Sequence, residues 1–452
     1  MKLLCLSNGH GEDGIALRIL QSLQRQPQPP ELAALPIVGE GHLYRKYDIP
    51  IIGPTQAMPS GGFIYMDGQQ LARDLRGGLL TLTLDQLKAV RAWANQGGKI
   101  LAVGDIVPLL FAWWSGADYA FVGTAKSDYY LRDEQGWLPR STWFEQLEAW
   151  SGSVFLPWER WLMSRVRCRA VFPRDRLTHQ VLKRWPIPSF DLGNPMMDGL
   201  TPSPGPSGSL LDLLQPPETV AANLVSELGS SELSPQVAID TGARLTFLLL
   251  PGSRSPEAYE NWSIIMQSVA ALVTALGNQK QLLFLGAIAP QIEFEPLRQR
   301  LETYGWRLRQ DQIINSTGPD GSPVQTPHWM FEQYRGQLIL TRAFNQCLHQ
   351  ADLALAMAGT ATEQFVGLGK PALTFPGAGP QFTARFAEAQ TRLLGPSVTL
   401  VEQPQRVVAT VTALLQDPDR LQLIRANGLR RMGQSGAADR IAAQLIQEFQ
   451  DR

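Results

Sequence analysis

The sequence predicts an α/β protein of two doubly wound domains, each built around a mainly parallel sheet. Strand-like and helix-like segments alternate in both halves of the chain, a pattern typical of such sheets. With 452 residues, the chain is long for one domain and sufficient for two separate cores. Residues 201–242 contain many Pro, Ser and Gly residues and are interpreted as a linker or an insertion. The predicted domains are therefore residues 1–200 and 243–452, with a cleft between the carboxyl ends of their sheets.

The predicted elements follow the same order of strand and helix in each half. In the first half they are strands at Lys2–Ser7, Leu32–Val38, Lys99–Val103 and Tyr119–Val122, and helices at Gly14–Gln24 and Thr83–Ala94. In the second half they are strands at Leu245–Leu250, Gln281–Leu285, Gln337–Thr341, Leu353–Met357 and Ala372–Phe375, and helices at Trp262–Leu276 and Phe344–Gln350. Residues 405–450 are predicted to be helical.

The composition is that of a globular cytoplasmic protein. Hydrophobic residues make up 44% of the chain and charged residues 18%, which excludes a disordered chain. The formal net charge is −1, so no nucleic-acid partner is expected. Cys5, Cys168 and Cys347 lie far apart, and the histidines lack metal-ligand spacing, so neither a disulfide nor a metal site is expected. No signal peptide is expected, and the longest apolar stretch, Ile106–Trp114, is shorter than the ~20 residues of a membrane span.

The first predicted strand leads into a glycine-rich turn with the sequence SNGHGEDG, residues 7–14. Its glycines have the GxGxxG spacing of a dinucleotide-binding turn, but Glu12 and Asp13 would repel a pyrophosphate there. The acidic residue expected about 20 positions later is also missing. One interpretation is that both carboxylates cap the following helix, which stabilises it by ~0.3–1 kcal/mol. The other is a turn that approaches a hydroxylated acceptor, with His10 or Glu12 as its hydrogen-bonding group.

The second half contains two turns that could bind a diphosphate. The predicted strand at Leu245–Leu250 ends in Pro-Gly-Ser-Arg, where Arg254 can form paired hydrogen bonds to phosphate oxygens. The strand at Leu353–Met357 ends in a Gly-Thr turn at Gly359, followed by a short helix that contains Glu363. The start of such a helix offers free N–H groups and a positive dipole end, and Glu363 could accept hydrogen bonds from ribose hydroxyls. The alternative is an ordinary βαβ unit in which this turn only caps the helix.

Two further segments have both a functional and a structural interpretation. Asp105 follows a predicted strand and faces the expected cleft, where it could accept a proton from a hydroxyl or only stabilise a turn. Residues 157–184 are rich in Arg, and Trp158, Trp161, Leu162 and Val166 fall on one helical face. Such a helix suits an anionic lipid surface, although a core helix with solvated arginines has the same pattern.

Taken in order, these motifs resemble those of the lipid-A-disaccharide synthase family, most closely its cyanobacterial and plastid-lineage members. LLPGSR at Leu249–Arg254 matches that family's LLPGSR, and AGTATEQ at Ala358–Gln364 is similar to its SGTATLE. GNPMMD at Gly193–Asp198 is similar to its GHPL-D, and the Trp- and Arg-rich segment that ends in VFPRD is similar to its own. The resemblance covers residues 1–397 apart from 201–242.

The resemblance implies the GT-B fold, in which two Rossmann-like domains face each other across a cleft and the C-terminal domain binds the donor. The implied reaction is the inverting, metal-independent transfer of a sugar from a UDP-sugar to a hydroxyl of a glycolipid, without a cofactor. The residues that it implies for the diphosphate are Ser253, Arg254, Gly359, Thr360, Ala361 and Thr362. Glu363 and Gln381 are expected to contact the ribose or the donor sugar. The implied partners are a nucleotide sugar, a lipid acceptor and, through Trp158 and Trp161, the inner membrane face.

The acceptor side departs from the family's motifs. The candidates for the catalytic base are Asp105, His10 and Glu12, and the acceptor-side residues are Asn8, Gly9, Gly11, Asp13 and Asn194. Asp105 matches only the first Asp of the family's IDxPDFN motif, because Pro108 is followed by two leucines. Asn194 stands where the family has a histidine, and an amide is neither acid nor base near neutral pH. Two other hypotheses therefore stay open: a UDP-N-acetylglucosamine 2-epimerase-like isomerase and a sugar-nucleotide-binding protein without catalysis.

Overall fold

A computed structural model of the chain describes residues 1–56, 79–139, 143–201, 244–317, 323–334 and 336–450. Its contacts divide the chain into two compact units. The first unit consists of Met1–Gly199, Arg392–Gly395 and Gly428–Arg452, and the second of Leu200–Thr391 and Pro396–Asn427. The predicted linker or insertion lies outside the described residues except for Thr201. Residues 428–452 lie in the first unit, whereas the predicted range of the second domain includes them.

The first unit is an α/β unit with a five-stranded parallel sheet in the order β2-β1-β3-β4-β5. Its strands are β1 (Lys2–Ser7), β2 (Glu31–Pro36), β3 (Lys99–Gly104), β4 (Tyr119–Gly123) and β5 (Cys168–Phe172). The helices in the described part of residues 1–199 are α1 (His10–Gln24), α2 (His42–Lys46), α3 (Leu79–Asn95), α4 (Ile106–Ser115), α5 (Trp143–Ser151), α6 (Pro157–Met163) and α7 (Arg176–Leu182).

The second unit contains an eight-stranded sheet in the order β13-β12-β11-β6-β7-β10-β9-β8. Its strands are β6 (Leu245–Leu250), β7 (Leu282–Ala287), β8 (Arg307–Thr317), β9 (Pro323–Gln333), β10 (Gly336–Thr341), β11 (Leu353–Ala356), β12 (Ala372–Thr374) and β13 (Val398–Leu400). The helices that follow α7 are α8 (Glu257–Leu276), α9 (Phe294–Thr303), α10 (Phe344–Gln350), α11 (Thr360–Gly367), α12 (Ala384–Leu394), α13 (Val407–Leu415), α14 (Pro418–Met432) and α15 (Ala437–Gln450).

The central strands of the second sheet are buried along their whole length. All six residues of β6 are buried, as are all six of β7, which is expected of parallel strands covered on both faces. The hairpin of β8 and β9 is antiparallel, and the sequence analysis did not predict it. The exposed side chains of β8, from Arg307 to Ile313, do not form the apolar run by which the other strands are recognised.

The structure corrects two predicted helices. The first begins at His10 and not at Gly14, because Gly9 adopts φ 133° directly after β1 and the chain turns into α1 at once. The predicted Trp- and Arg-rich helix is only the seven-residue α6, which ends at Met163. A turn then leads into β5, so Val166 lies outside the helix and does not share its apolar face.

The carboxylate of Asp198 caps the C-terminal helix of the first unit. Its Oδ1 accepts hydrogen bonds from the backbone N–H groups of Gly436 and Ala437, and its Oδ2 accepts one at 2.7 Å from Ala438. The capped helix, α15, packs against α1. The final residue of the GNPMMD motif therefore fixes the position of the last helix, which explains why residues 428–452 belong to the first unit.

Replacing Asp198 with alanine is expected to lower the free energy of unfolding of the first unit by about 2 kcal/mol. The change removes a charged N-cap that accepts three N–H groups at the positive end of a helix dipole. Urea denaturation, monitored through the hydrogen exchange of backbone amides in α15, measures the change in the free energy of unfolding. Asp191→Ala, an exposed acid in the same segment, is the control and should change stability by less than about 0.5 kcal/mol. Equal effects of the two changes would contradict the capping role.

Candidate functional site

Each sheet contains one point at which the order of its strands reverses direction. In the first unit this point lies between β1 and β3, and in the second unit it lies between β6 and β11. Ligands of open α/β sheets bind outside the carboxyl ends of the strands at such switch points. The turns that follow these four strands contain most of the predicted site residues.

In the second unit, the Pro-Gly-Ser-Arg turn lies next to the Gly359 turn, because each follows one of two paired strands. β6 and β11 pair in parallel, and the N–H of Met357 donates to the carbonyl of Leu250 at 2.8 Å. Gly252 has φ 102°, and a Cβ there would lie 3.2 Å from the Met357 carbonyl oxygen. Glycine therefore permits both the left-handed backbone and the close approach of the two turns. Ser253 and Arg254 are exposed at the end of β6.

Asn261 of α8 holds the two turns together. Its Nδ2 donates to the carbonyl oxygen of Pro251 at 3.0 Å and to that of Met357 at 3.4 Å. The side chain is 2% exposed, so these contacts satisfy a buried amide. Arg254 and the start of α11 are therefore held next to each other at the carboxyl edge of the second sheet.

The start of α11 has the features of an anion-binding site. No side chain caps this helix at Gly359, and the N–H groups of Thr362 and Glu363 bind the Gly359 carbonyl. The N–H groups of Thr360 and Ala361 precede these two on the first turn, where an α-helix leaves its amides without internal partners. Thr360 is exposed and Ala361 partly exposed, so the positive end of the helix dipole faces accessible space.

The remaining predicted donor residues lie around this turn. The buried Thr362 donates its hydroxyl to the carbonyl of Ala358 at 2.6 Å, which stabilises the turn. Glu363 is 8% exposed on α11, and Gln381 is partly buried in the loop after β12. The structure therefore places all the predicted donor residues in the second unit, at or beside the carboxyl ends of β6, β11 and β12.

In the first unit, the switch point brings together Asn8, Glu12 and Asp105. Asn8 donates its Nδ2 to Oδ2 of Asp105 at 3.2 Å. Gly104 has φ 135°, and a Cβ there would lie 3.3 Å from Cγ of Glu12 and 3.5 Å from Cβ of Asn8. Thr124, at the end of β4, donates its hydroxyl to Glu12 at 3.4 Å. The ends of three neighbouring strands thus surround the Glu12 carboxylate.

Glu12 has the proton affinity of a general acid or base near neutral pH. The pKa of its carboxyl group is raised from 4.5 to about 7, mainly by burial and also by the negative charges of Asp105 and Asp13. A backbone N–H group and the Thr124 hydroxyl oppose this rise. A carboxyl group with a pKa near the working pH suits proton transfer in catalysis.

Asp105 is the N-cap of α4. Its Oδ1 accepts a hydrogen bond at 2.8 Å from the N–H of Val107, and its Oδ2 accepts one from Asn8. Burial raises the pKa of this carboxyl group, although these hydrogen bonds and the charge of Lys126 oppose the rise. Because Asp105 is held as the cap of α4, and the pKa of Glu12 is raised to about 7, Glu12 is the better candidate for the base.

The other predicted acceptor-side residues differ in their surroundings. Asp13 is buried beneath the turn and accepts a hydrogen bond at 2.5 Å from the Ser7 hydroxyl. Asn194 is 3% exposed, and its Oδ1 accepts a hydrogen bond at 3.0 Å from the N–H of Met196. Gly9 is the N-cap of α1, and a Cβ on Gly11 would have no atom within 4 Å. The side chain of His10 lies outside the described part of the chain.

Thr124, Glu257 and Asn261 contribute to these sites, and the sequence analysis did not identify them. Thr124 lies two residues after a predicted strand, as Asp105 does, and this position is the signal that selected Asp105. Glu257 and Asn261 lie four residues apart near the start of α8, and both are buried. Buried polar residues at this spacing share one helix face, so they could have been recognised as partners of the neighbouring turns.

Several solved structures share this fold along nearly the whole chain. A candidate UDP-N-acetylglucosamine 2-epimerase from Listeria monocytogenes is 15% identical, with a TM-score of 0.53, and the match covers 100% of this chain and 97% of that one. MurG from Acinetobacter baumannii is 14% identical, with a TM-score of 0.52 and 99% coverage of each chain. MnaA from S. aureus, solved with UDP, is 11% identical, with a TM-score of 0.50 and coverages of 99% and 96%. No protein-family model and no curated protein matches the chain.

At these identities the similarity shows the fold alone. The prediction of a GT-B-like α/β protein with two Rossmann-like domains is confirmed. Across the described residues, no helix combines the length and the apolar character that a membrane span requires. The same part of the chain contains no group of three or more His, Cys, Asp or Glu side chains placed to hold a metal ion.

Proposed function

We propose that this protein is a UDP-sugar-dependent glycosyltransferase that transfers a sugar, with inversion, to a hydroxyl of a lipid acceptor, as a lipid-A-disaccharide synthase does. The observation that carries the proposal is the switch point of the second sheet, where Arg254 and the uncapped start of α11 follow adjacent strands. A guanidinium and free helix N–H groups together suit a diphosphate. The Leu249–Arg254 and Ala358–Gln364 motifs of the resembled family form these two turns.

In the proposed reaction, Glu12 accepts the proton of the acceptor hydroxyl. The hydroxyl oxygen forms a bond to the anomeric carbon while the bond from that carbon to the diphosphate oxygen breaks. UDP leaves with the electron pair, and Arg254 and the N–H groups of Thr360 and Ala361 stabilise its developing charge. The proposed reaction uses no metal, so EDTA should leave its rate unchanged.

The proposal is tested by incubating the protein with UDP-N-acetylglucosamine, with and without a glycolipid that has a free sugar hydroxyl. Release of UDP that depends on the glycolipid, together with a new glycosidic product, is the expected result. Retention of the donor under both conditions, with no binding of UDP in a titration, would contradict the proposal.

A UDP-N-acetylglucosamine 2-epimerase-like isomerase is the second candidate. The observation that favours it is the match over the whole chain to the Listeria monocytogenes structure, which is similar in TM-score to the MurG match. An isomerase would convert the donor to its epimer without an acceptor, which nuclear magnetic resonance of the sugar detects. Binding of UDP-N-acetylglucosamine without either reaction, unaffected by Glu12→Ala or Asp105→Ala, would indicate a non-catalytic nucleotide-sugar-binding protein.

We also propose that an apolar patch on the first unit contacts the cytoplasmic face of a membrane. The patch consists of Leu110 and Trp114 on α4 and Trp158 and Trp161 on α6, and these side chains are between 41% and 53% exposed. The two helices pack together, and Arg165 lies over the Trp161 ring at 4.3 Å. Exposed tryptophans beside arginines suit the interface of an anionic bilayer.

The double change Trp158→Ala and Trp161→Ala is expected to weaken binding to anionic phospholipid vesicles about 10-fold or more. Each substitution removes the apolar surface that the tryptophan would bury between lipid headgroups. Sedimentation with vesicles of phosphatidylglycerol and phosphatidylcholine measures the partition coefficient. Trp150→Ala is the control, because this tryptophan is 82% exposed on a different helix, α5. Equal losses of vesicle binding in the control and in the double variant would contradict the proposal that this patch contacts the membrane.

A further inference from the structure

The buried carboxylate of Glu257 joins the start of α8 to a loop at the carboxyl edge of the second sheet. Glu257 is the first residue of α8 and is 7% exposed. Its Oε1 accepts hydrogen bonds from the backbone N–H groups of Gln381, at 3.2 Å, and of Phe382. Both donors belong to the loop at residues 377–382, which follows β12. A charged acceptor thus holds a loop that is distant in sequence.

The order of the strands shows where this loop runs. Glu257 follows β6 and Gln381 follows β12, whereas β11 lies between those strands in the sheet. The 377–382 loop must therefore cross the carboxyl end of β11, where α11 begins. Phe386, just beyond the loop, also lies there, because a Cβ on Gly359 would be 3.6 Å from its ring. The loop consequently borders the proposed diphosphate site.

Two glycines let the loop pack directly against its own backbone and against the carboxylate. A Cβ on Gly379 would lie 2.1 Å from Oε1 of Glu257. A Cβ on Gly377 would lie 1.9 Å from the carbonyl oxygen of Phe382. Neither position has room for a side chain while the Glu257 contacts are in place, so the loop and the carboxylate form one packed unit.

We propose that Glu257 is a positioning residue for the donor sugar. It holds the 377–382 loop across the end of β11, so that Gln381 lies beside the sugar carried by the terminal phosphate. Arg254, three residues before Glu257, binds the diphosphate itself. This inference rests on the proposed function, and it adds that phosphate binding and sugar recognition are joined through one carboxylate.

The test compares the binding of UDP and of UDP-N-acetylglucosamine to the full chain and to Glu257→Ala by titration calorimetry. The variant is expected to bind UDP-N-acetylglucosamine about 10-fold or more weakly, the effect of losing hydrogen bonds to a charged group. Its affinity for UDP should change less than about 3-fold. Glu257→Gln retains one acceptor oxygen and should restore part of the loss. Glu260 is an exposed acid on the same turn of the helix, and the control variant Glu260→Ala should leave both affinities unchanged.

A second measurement keeps the inference separate from the proposed function. Hydrogen exchange of a peptide containing residues 377–386 should be at least about 10-fold faster in Glu257→Ala, with no ligand present. Gly379→Ala, which forces the carboxylate aside, should have the same effect. If the wild-type protein bound neither nucleotide, the proposed function and the sugar-positioning role would both fail, whereas the exchange result would still decide whether Glu257 holds the loop. Equal losses of affinity for the two nucleotides, or unchanged exchange, would overturn the inference.

Discussion

Replacing Glu12 with glutamine is expected to lower kcat for sugar transfer about 100-fold or more, with little change in the affinity for UDP. The change keeps the shape of the side chain and removes the proton acceptor, and general-base catalysis contributes roughly 10²–10⁴-fold. Asp105→Asn should have a smaller effect, because an amide oxygen can still accept the N–H of Val107 that caps α4. Initial rates at saturating donor and acceptor measure both variants.

The pH dependence of the rate gives a second signature of Glu12. Its pKa is raised to about 7, mainly by burial, and a general base acts in its ionised form. The rate of the wild-type protein should therefore rise with pH, with a midpoint near 7, and reach a plateau above it. The residual activity of Glu12→Gln should lack this inflection, whereas the exposed control Glu40→Gln should retain it. A rate that fell over the same pH range would contradict the assignment of Glu12 as the base.

Replacing Arg254 with alanine is expected to weaken the binding of UDP by about 10-fold to 100-fold. Hydrogen bonds from a guanidinium to a phosphate are charge-assisted, and each is worth roughly 1.5–3 kcal/mol. Arg254→Lys should recover only part of the affinity, because an ammonium group cannot form the paired hydrogen bonds of a guanidinium. Titration calorimetry with UDP measures the three proteins.

Arg300→Ala serves as the control for Arg254→Ala. Arg300 is an exposed residue of α9 in the same unit, on a helix that follows β7 and neither β6 nor β11, and its loss should not change the affinity for UDP. Unchanged binding of UDP by Arg254→Ala, or equal losses in the two variants, would show that the turn after β6 does not bind the diphosphate.

The sequence predicted those parts of the fold that follow from local pattern. The apolar run at Leu245–Leu250 specifies a buried strand by itself, and the predicted bounds agree with the structure. The antiparallel β8–β9 hairpin was missed because its exposed residues lack such a run. The position of α15 could not be predicted, since it depends on the carboxylate of Asp198, which is distant in sequence.

In the candidate site, too, the features that follow from local sequence could be predicted, whereas those that depend on residues distant in sequence could not. The turns at Arg254 and Gly359 could be recognised from strand ends, and parallel pairing of β6 and β11 explains why they are adjacent. The proton affinity of Glu12 could not be predicted, because it arises from burial and from the carboxylate of Asp105. Sequence reasoning offered Asp105, His10 and Glu12 as candidate bases, and the contacts of Asp105 with α4 and Asn8 favour Glu12 over Asp105.

Titration of UDP into Thr360→Pro and Thr360→Ala tests the central claim most directly, namely that the first amides of α11 bind the diphosphate. Proline is tolerated at the first position of a helix and removes one N–H group, whereas alanine removes the same side chain and keeps that group. We predict that Thr360→Pro binds UDP about 10-fold more weakly than Thr360→Ala, which should resemble the wild-type protein. Equal affinities for UDP in these two variants would contradict the claim.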